Sequence, residues 1–233
     1  MRFVLLSNYR SGSTLMASLL NCHPEVFCDD EIFYRFIADA GCPRMLSPRL
    51  YLRGRAACSP KPVYGFDLKV DQLNKVNSER LHGPHLQTVA WLQRNQWRIV
   101  YLRRLNLFQQ SLSNVLANTR RVWHRIDESP VPAVAIPPKT LLEHMAYLEK
   151  TNAWEARAVM GLDYLELVYE RDLLDASVHQ KTADRVFAYL GLLSAPVKTE
   201  MRKMAASLPG LDVTNYEELK KEVRRSRYSC FVE

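Results

Sequence analysis

The chain of 233 residues is long enough for one α/β domain with a sizeable buried core, and short for two domains of ordinary size. Hydrophobic residues make up 47% of it and charged residues 24%, a balance that excludes disordered, collagen-like and low-complexity proteins. The formal net charge of +7 favours an anionic partner, such as a nucleotide, a nucleic acid or an acidic membrane surface. We therefore expect a single domain over residues 1–233.

The cysteines and the N-terminal residues indicate in which cellular compartment the protein is expected. The five cysteines are an odd number and form no Cys-x-x-Cys pair, which argues against a zinc site and against a disulfide framework. The apolar run that begins at Phe3 is interrupted by Asn8 and Arg10 before it reaches the length of a signal sequence or a membrane span. We expect a cytoplasmic protein with no metal and no membrane span, and no sequence signal indicates its oligomeric state.

Short continuous apolar runs alternate with helical patterns along the chain. Such runs are typical of strands that are buried on both faces of a parallel sheet. The alternation predicts an α/β fold with a central parallel β-sheet of about four or five strands, flanked by helices. Sheets of this kind bind their ligands at the carboxyl ends of the strands. We predict strands at residues 3–6, 63–68, 99–102 and 164–168, and helices at 14–21, 139–160 and 215–227.

The segment Ser7-Asn8-Tyr9-Arg10-Ser11-Gly12-Ser13-Thr14 lies between the first strand and the first helix. Backbone N–H groups at a helix N-terminus, a glycine that allows close approach and nearby hydroxyls form a site for a doubly charged anion. An ordinary capped turn is the alternative interpretation. A Walker-type kinase is disfavoured, because its motif requires a lysine where this chain has Ser13 and a first glycine that this chain lacks.

The segment from Tyr9 to Leu15 resembles the 5′-phosphosulfate-binding loop of the sulfotransferases that use 3′-phosphoadenosine 5′-phosphosulfate (PAPS), in their bacterial and carbohydrate-type branch. The resemblance implies a P-loop nucleotide-kinase-like sulfotransferase fold. It also implies transfer of the sulfuryl group of PAPS, without a metal, to a hydroxyl of a glycan or another small-molecule acceptor. Further segments resemble later blocks of that branch in the same order: residues 20–26 with 31–33, 65–73, 99–113, 167–174 and 214–218.

The resemblance assigns the PAPS-binding residues. The 5′-phosphosulfate would be held by Arg10, Ser11, Gly12, Ser13 and Thr14. The 3′-phosphate would be held by an arginine at the end of a strand and a serine on the next helix. The family's spacing of eight residues fits Arg103 with Ser111, whereas its Gln-x-x-Ser ending selects Ser113, and Arg104 is the alternative arginine.

Sulfuryl transfer needs a general base for the proton of the acceptor hydroxyl. Glu31 is the first candidate, since it follows the first helix at the interval where the branch keeps an acidic base in a turn, and Asp29 and Asp30 beside it would raise its pKa. His124 is the second candidate. Lys69 is a third catalytic candidate, although the branch carries its lysine where this chain has Asp67, and a surface lysine is an equal alternative.

Two segments without a predicted element, residues 40–62 and 125–138, are candidates for loops over the acceptor. The rival function is a binding module without catalysis, either a degenerate nucleotide fold or a nucleic-acid binder. The second form would use the basic and aromatic residues at 120–125. Nucleic acid is disfavoured because the remaining positive charge is dispersed and the helix at 215–227 mixes glutamates with its basic residues.

Overall fold

The computed structural model describes residues 1–38, 47–76, 84–121, 133–199 and 213–232. These residues form two compact units. One comprises residues Met1–Arg103 and Thr151–Thr199, and the other contains Arg104–Lys150 and the described residues after 212. The expectation of one domain over residues 1–233 stays a prediction.

The first unit is built on a parallel sheet of five strands in the order β2-β3-β1-β4-β5. Each neighbouring pair of strands is parallel. The predicted central parallel sheet is therefore confirmed, and its order places β1 in the middle. The strands are β1 Arg2–Ser7, β2 Val26–Glu31, β3 Val63–Leu68, β4 Trp97–Arg103 and β5 Leu165–Val168.

Helices connect the strands and continue into the second unit. The helix after β1 begins at Ser13, one residue before its predicted start, and ends at Asn21 as predicted. The α-helices are α1 Ser13–Asn21, α2 Arg35–Ala38, α3 Pro48–Ala57, α4 Val70–Val76, α5 Pro84–Arg94, α6 Leu107–Arg120, α7 Pro138–Val159, α8 Tyr169–Asp172, α9 His179–Tyr189 and α10 Tyr216–Arg224.

The alternation of side chains along β1 explains the two layers around the sheet. Phe3 and Leu5 pack in one buried cluster with α1 and α9, whereas Val4 and Leu6 pack in another with α4 and α5. Both faces of the strand are thus covered, as its continuous apolar sequence requires. In the second unit, apolar residues of α6, α7 and α10 form a separate buried cluster around Leu112, Met145 and Leu219.

Secondary structure occurs in two segments where the sequence predicted none. Residues Val26–Glu31 form the edge strand β2, so Glu31 ends a strand instead of lying in a turn. The pattern failed because this strand has three acidic residues in a row and is buried only in part. Within the unassigned segment 40–62, Ser47 accepts a hydrogen bond from the Leu50 amide and begins α3. Most of the unassigned segment 125–138 lies outside the described residues.

In the described part of the chain no helix is long and apolar enough to cross a membrane. Cys22, Cys28, Cys58 and Cys230 are not in disulfides. Cys42 lies outside the described residues.

The contact between Phe3 and Gly65 generates a prediction for the stability of the sheet. These residues are register partners on β1 and β3, and a Cβ atom at position 65 would overlap the Phe3 ring. We expect Gly65→Ala to lower the free energy of unfolding by about 2 kcal/mol or more, because an added methyl group in a packed core forces side chains and backbone to shift. The matched control is Gly54→Ala in α3, where the new Cβ would have no atom within 4 Å apart from its chain neighbours and the backbone of its own helix. It should raise stability by up to about 1 kcal/mol. Urea unfolding of both variants measures this, and equal effects would contradict the packing of β1 on β3.

Candidate functional site

The loop between β1 and α1 has the backbone of an anion-binding turn. Arg10 and Gly12 both adopt left-handed conformations, with φ of 57° and 93°. Left-handed residues within such a turn direct successive N–H groups to one side, which forms a concavity for an anion. Gly12 is also required by packing, because a Cβ atom there would lie 2.7 Å from Tyr169 Cδ2.

Hydrogen bonds within the loop fix its shape. The Asn8 side-chain amide donates to Thr151 Oγ1 at 2.7 Å and to Asn152 Oδ1 at 2.6 Å, and its carbonyl oxygen accepts from the Tyr9 amide at 2.8 Å. Ser11 Oγ donates to the Asn8 carbonyl at 2.7 Å. The predicted ligand Ser11 therefore uses its hydroxyl to brace the loop, and its backbone amide is the group left for an anion.

Helix α1 begins directly at this loop. Gly12 is its N-cap and has no side chain to cap the first turn, and the Met16 amide makes the first helical bond to the Gly12 carbonyl at 3.0 Å. The amides of Ser13 and Thr14 precede that bond and have no acceptor within the helix. No acidic side chain lies in the first turn. An anion at this position would meet amide donors and the positive end of the helix dipole.

Lys69 reaches this helix terminus from the end of β3. Its ammonium Nζ donates to Ser13 Oγ at 2.8 Å and to Ser7 Oγ at 2.6 Å. It also contacts both oxygens of Asp67, at 2.9 and 2.8 Å. Lys69 and Asp67 are each 1% exposed, so the alternative of a surface lysine is wrong. The loop has no lysine of its own, and β3 places one beside it.

The charge of Lys69 is maintained by its neighbours. Burial acts to lower the pKa of the ammonium, but the Asp67 and Glu31 carboxylates outweigh burial and the pKa of Lys69 is raised. Removing Asp67 alone would therefore leave a buried cation without its main partner.

Glu31 lies beside the same lysine, at the carboxyl end of β2. A register shift between Asp29 and Glu31 interrupts the pairing with β3, and such irregularities redirect side chains near functional sites. One Glu31 oxygen, Oε1, lies 4.0 Å from Lys69 Nζ. The other, Oε2, accepts a hydrogen bond of 2.5 Å from Gln72 Nε2. The structure therefore brings the predicted residues Glu31 and Lys69 together, and their roles stay predictions.

The pKa of Glu31 is raised above its ordinary value, mainly because the carboxyl group is buried. Lys69 and the hydrogen bond from Gln72 oppose this shift, while Asp67 and Asp30 add to it. The predicted effect of Asp29 is absent from these causes. Asp29 instead accepts hydrogen bonds from Arg55 and from Tyr64, which hold it in a separate ion pair.

A second carboxyl group, Glu155 of α7, interacts electrostatically with Lys69 and Asp67 of the same cluster. It is 2% exposed, and burial raises its pKa well above the ordinary value, with Lys69 acting in the opposite direction. A glutamate in this environment retains its proton at pH values where an exposed glutamate is ionised. In the described ranges no group of three or more His, Cys, Asp or Glu side chains is arranged to hold a metal ion.

The candidates for the 3′-phosphate fall in both units. Arg103 ends β4 in the first unit, is exposed, and donates to Glu166 Oε1 at 2.8 Å. Arg104 begins the second unit and is partly buried. On α6, Ser111 is fully buried and its Oγ has no hydrogen-bond partner among the described residues, whereas Ser113 is half-buried. Positions two apart on a helix point in different directions, so the two serines are true alternatives.

His124 lies outside the described residues. The block that follows β5 is a packing element: Tyr169 lies against Gly12, and Asp172 accepts from the Val168 amide at 2.7 Å. Arg171 is exposed and paired with Asp172 at 2.8 Å.

Several residues of the cluster were not assigned a role from sequence: Ser7, Asn8, Asp67, Gln72 and Glu155. The period of two along β3 indicated that Asp67 and Lys69 share a face, which was the available signal for their pairing. Glu155 lies in the predicted helix 139–160 and Gln72 in the block 65–73. A single polar residue on a buried helix face gives no sign of which side chain it contacts.

No family model matches the chain, and no curated protein matches its sequence. Among solved structures, the chain is similar to a sulfotransferase from Alicyclobacillus acidocaldarius, with a TM-score of 0.56 and 11% sequence identity. The similarity covers 100% of this chain and 93% of that one. This chain has the fold of that sulfotransferase. The fold expected from the resemblance of the loop is thereby confirmed.

The buried Glu155 generates a prediction for the pH dependence of stability. The folded state binds the Glu155 proton more tightly than the unfolded state, so the free energy of unfolding falls as pH rises above the ordinary carboxyl pKa of 4.5. Glu155→Gln keeps the shape of the side chain and cannot ionise. We expect its Tm to exceed that of the wild type at pH 8, by more than at pH 5.

The matched control is Glu143→Gln, which alters an exposed glutamate on the same helix. Its Tm difference from the wild type should be small and nearly equal at the two pH values. Differential scanning calorimetry measures all three proteins. A Glu155→Gln variant that is less stable than the wild type at pH 8 would show that Glu155 is ionised in the folded state.

Proposed function

We propose that this protein is a PAPS-dependent sulfotransferase that transfers a sulfuryl group to the hydroxyl of an acceptor. The observation that carries the proposal is that groups suited to bind an anion and a group suited to accept a proton lie in one site. A cation and free helix amides suited to an anion lie beside a half-buried carboxylate suited to accept a proton, with Lys69 Nζ and Glu31 Oε1 4.0 Å apart. The similarity in fold to a sulfotransferase supports the same assignment.

We assign the 5′-phosphosulfate to the loop. The amides at residues 11–14 would donate to its oxygens, and Arg10 would add a permanently charged donor. Lys69, held beside Ser13 Oγ at 2.8 Å, would stabilise negative charge on the departing phosphate. Because Asp67 and Ser7 already fix its ammonium, this stabilisation needs little rearrangement during the reaction.

The PAPS molecule supplies the sulfuryl group and a phosphate leaving group. In the proposed step a bond forms between the acceptor oxygen and sulfur, and the bond from sulfur to the phosphate oxygen breaks. The leaving phosphate takes the electron pair of the broken bond. Glu31 in its carboxylate form takes the proton of the acceptor hydroxyl. His124 is the second candidate for this base.

For the 3′-phosphate the candidates are Arg103 or Arg104 with Ser111 or Ser113. The buried Ser111 Oγ has no hydrogen-bond partner among the described residues. This favours Ser111 over Ser113 as the serine that would donate to the 3′-phosphate. A carbohydrate or another small-molecule alcohol is proposed as the acceptor on the strength of the family resemblance.

The alternative of a binding module without catalysis gains no support from the basic residues. In α10 the charges pair with one another, Lys220 with Glu217 at 3.9 Å and Arg225 with Glu222 at 2.9 Å, which is typical of a solvated helix face. A binding module also has no use for a carboxylate beside the anion site, because that carboxylate would repel a bound phosphate.

Calorimetric titration with 3′-phosphoadenosine 5′-phosphate, the product of PAPS, tests the proposal. We expect micromolar binding that EDTA leaves unchanged. In Arg10→Ala the dissociation constant should rise at least about tenfold, since charged hydrogen bonds to a phosphate are lost. The matched control is Arg94→Ala, an exposed arginine on α5, which should bind as the wild type does. A wild type that does not bind this nucleotide would overturn the proposal.

A further inference from the structure

Gln72 of α4 has a buried side-chain amide that has no role in the proposed reaction. Its side chain is fully buried, and its backbone amide donates to the Lys69 carbonyl at 3.0 Å. The side-chain Nε2 donates to Glu31 Oε2 at 2.5 Å and lies 3.5 Å from the Tyr9 hydroxyl. A single amide nitrogen thus touches both the candidate base and a residue of the anion-binding loop.

The Tyr9 hydroxyl is itself held on the other side. It donates to Asp71 Oδ2 at 3.2 Å, and Lys75 Nζ contacts the same oxygen at 2.8 Å. Asp71 and Gln72 are adjacent on α4, so the first turn of this helix holds Tyr9 with one residue and Glu31 with the next. This turn therefore joins the loop to the carboxylate through hydrogen bonds.

The geometry around Glu31 shows what this amide contributes. Its Oε2 is bound to Gln72, whereas Oε1 has Lys69 at 4.0 Å. A carboxylate with one oxygen fixed by a buried donor cannot rotate freely about its terminal bond. The other oxygen then keeps a constant direction in which to receive a proton, as a general base requires.

We propose that Gln72 is a positioning residue that fixes the rotation of the Glu31 carboxylate and links it to Tyr9 of the loop. This inference rests on the proposed function for the role of Glu31 as the base. A hydrogen bond to the charged form of a carboxyl group favours that form. Gln72 therefore also lowers the pKa of Glu31, in opposition to burial, which raises it. The groups that act on Glu31 come from three elements and their ends: Asp30 of β2, Asp67 of β3, Lys69 after β3 and Gln72 of α4.

The unpartnered oxygen of the same amide agrees with this assignment. Gln72 Oε1 is buried and has no hydrogen-bond partner in the described part of the chain. A buried acceptor without a partner is costly for a group whose only task is packing. The cost is explained if Nε2 must face the Glu31 carboxylate. The reversed amide would place Gln72 Oε1 against a Glu31 oxygen, and both are acceptors.

The test is a direct titration of Glu31 in the whole protein. The carboxyl carbon of Glu31, labelled with 13C and assigned by its loss in Glu31→Gln, is followed by NMR against pH. In Gln72→Met, which keeps the length of the side chain but has no donor, the midpoint should move to higher pH. The control Gln93→Met makes the same change in a half-exposed glutamine on α5, and it should leave the midpoint unchanged.

A second variant keeps the test decisive if Gln72→Met does not fold. Gln72→Glu has nearly the same shape and places a carboxyl group against Glu31, so its midpoint should also rise, because two adjacent carboxyl groups resist double ionisation. An unchanged Glu31 midpoint in the folded variants would overturn the proposal.

The kinetic profile separates this inference from the proposed function. In Gln72→Met the acid limb of kcat/KM should move to higher pH, with about tenfold lower kcat/KM at its acid end. The alkaline plateau should also fall, because the ionised Glu31 carboxylate is then free to rotate. A role confined to structure would lower the whole profile and leave the midpoint in place. Should the wild type show no sulfuryl transfer, the proposed function fails, while the NMR midpoint still decides whether Gln72 holds Glu31.

Discussion

A lysine ammonium that is 1% exposed can remain a cation only with a carboxylate beside it, and Asp67 contacts Lys69 through both of its oxygens. This ion pair organises the carboxyl end of the sheet. The Lys69 ammonium contacts Ser7 at the end of β1, Ser13 at the start of α1 and Glu31 at the end of β2. The positive charge thereby lies at the N-terminus of α1, where the helix itself already favours an anion.

The parallel topology brings these residues together although they are distant in sequence. Strands β1, β2 and β3 are neighbours in the sheet, and their carboxyl ends carry Ser7, Glu31 and Asp67. Helix α4 follows β3 directly and supplies Gln72, whereas α7 supplies the asparagine and threonine that hold Asn8. The site is therefore a property of the fold, and each of its groups is held by a partner from another element.

Much of this architecture was predictable because buried parallel strands have continuous apolar sequences. The strand Val63–Leu68 was predicted with its observed bounds from such a pattern, and the loop around Gly12 lies between β1 and α1 as the sequence predicts. Strand β2 was missed, since its three consecutive acidic residues conceal a strand that is buried in part. The burial of Lys69 and the contact between Gln72 and Glu31 depend on which strands are neighbours, and a single sequence does not contain that order. Glu31, Lys69 and Ser13 were candidates from the sequence, whereas the parts of Asp67 and Gln72 follow only from the tertiary structure.

The central claim is that the buried Lys69 faces the bound anion. The most direct test is the dissociation constant of 3′-phosphoadenosine 5′-phosphate for the double variant Asp67→Asn, Lys69→Met, measured by calorimetry. Removing both charges together avoids an unpaired buried charge, which would cost about 3–5 kcal/mol in either single variant. The account predicts a folded protein whose dissociation constant is at least about tenfold higher than that of the wild type. Wild-type affinity in the folded double variant would contradict the account.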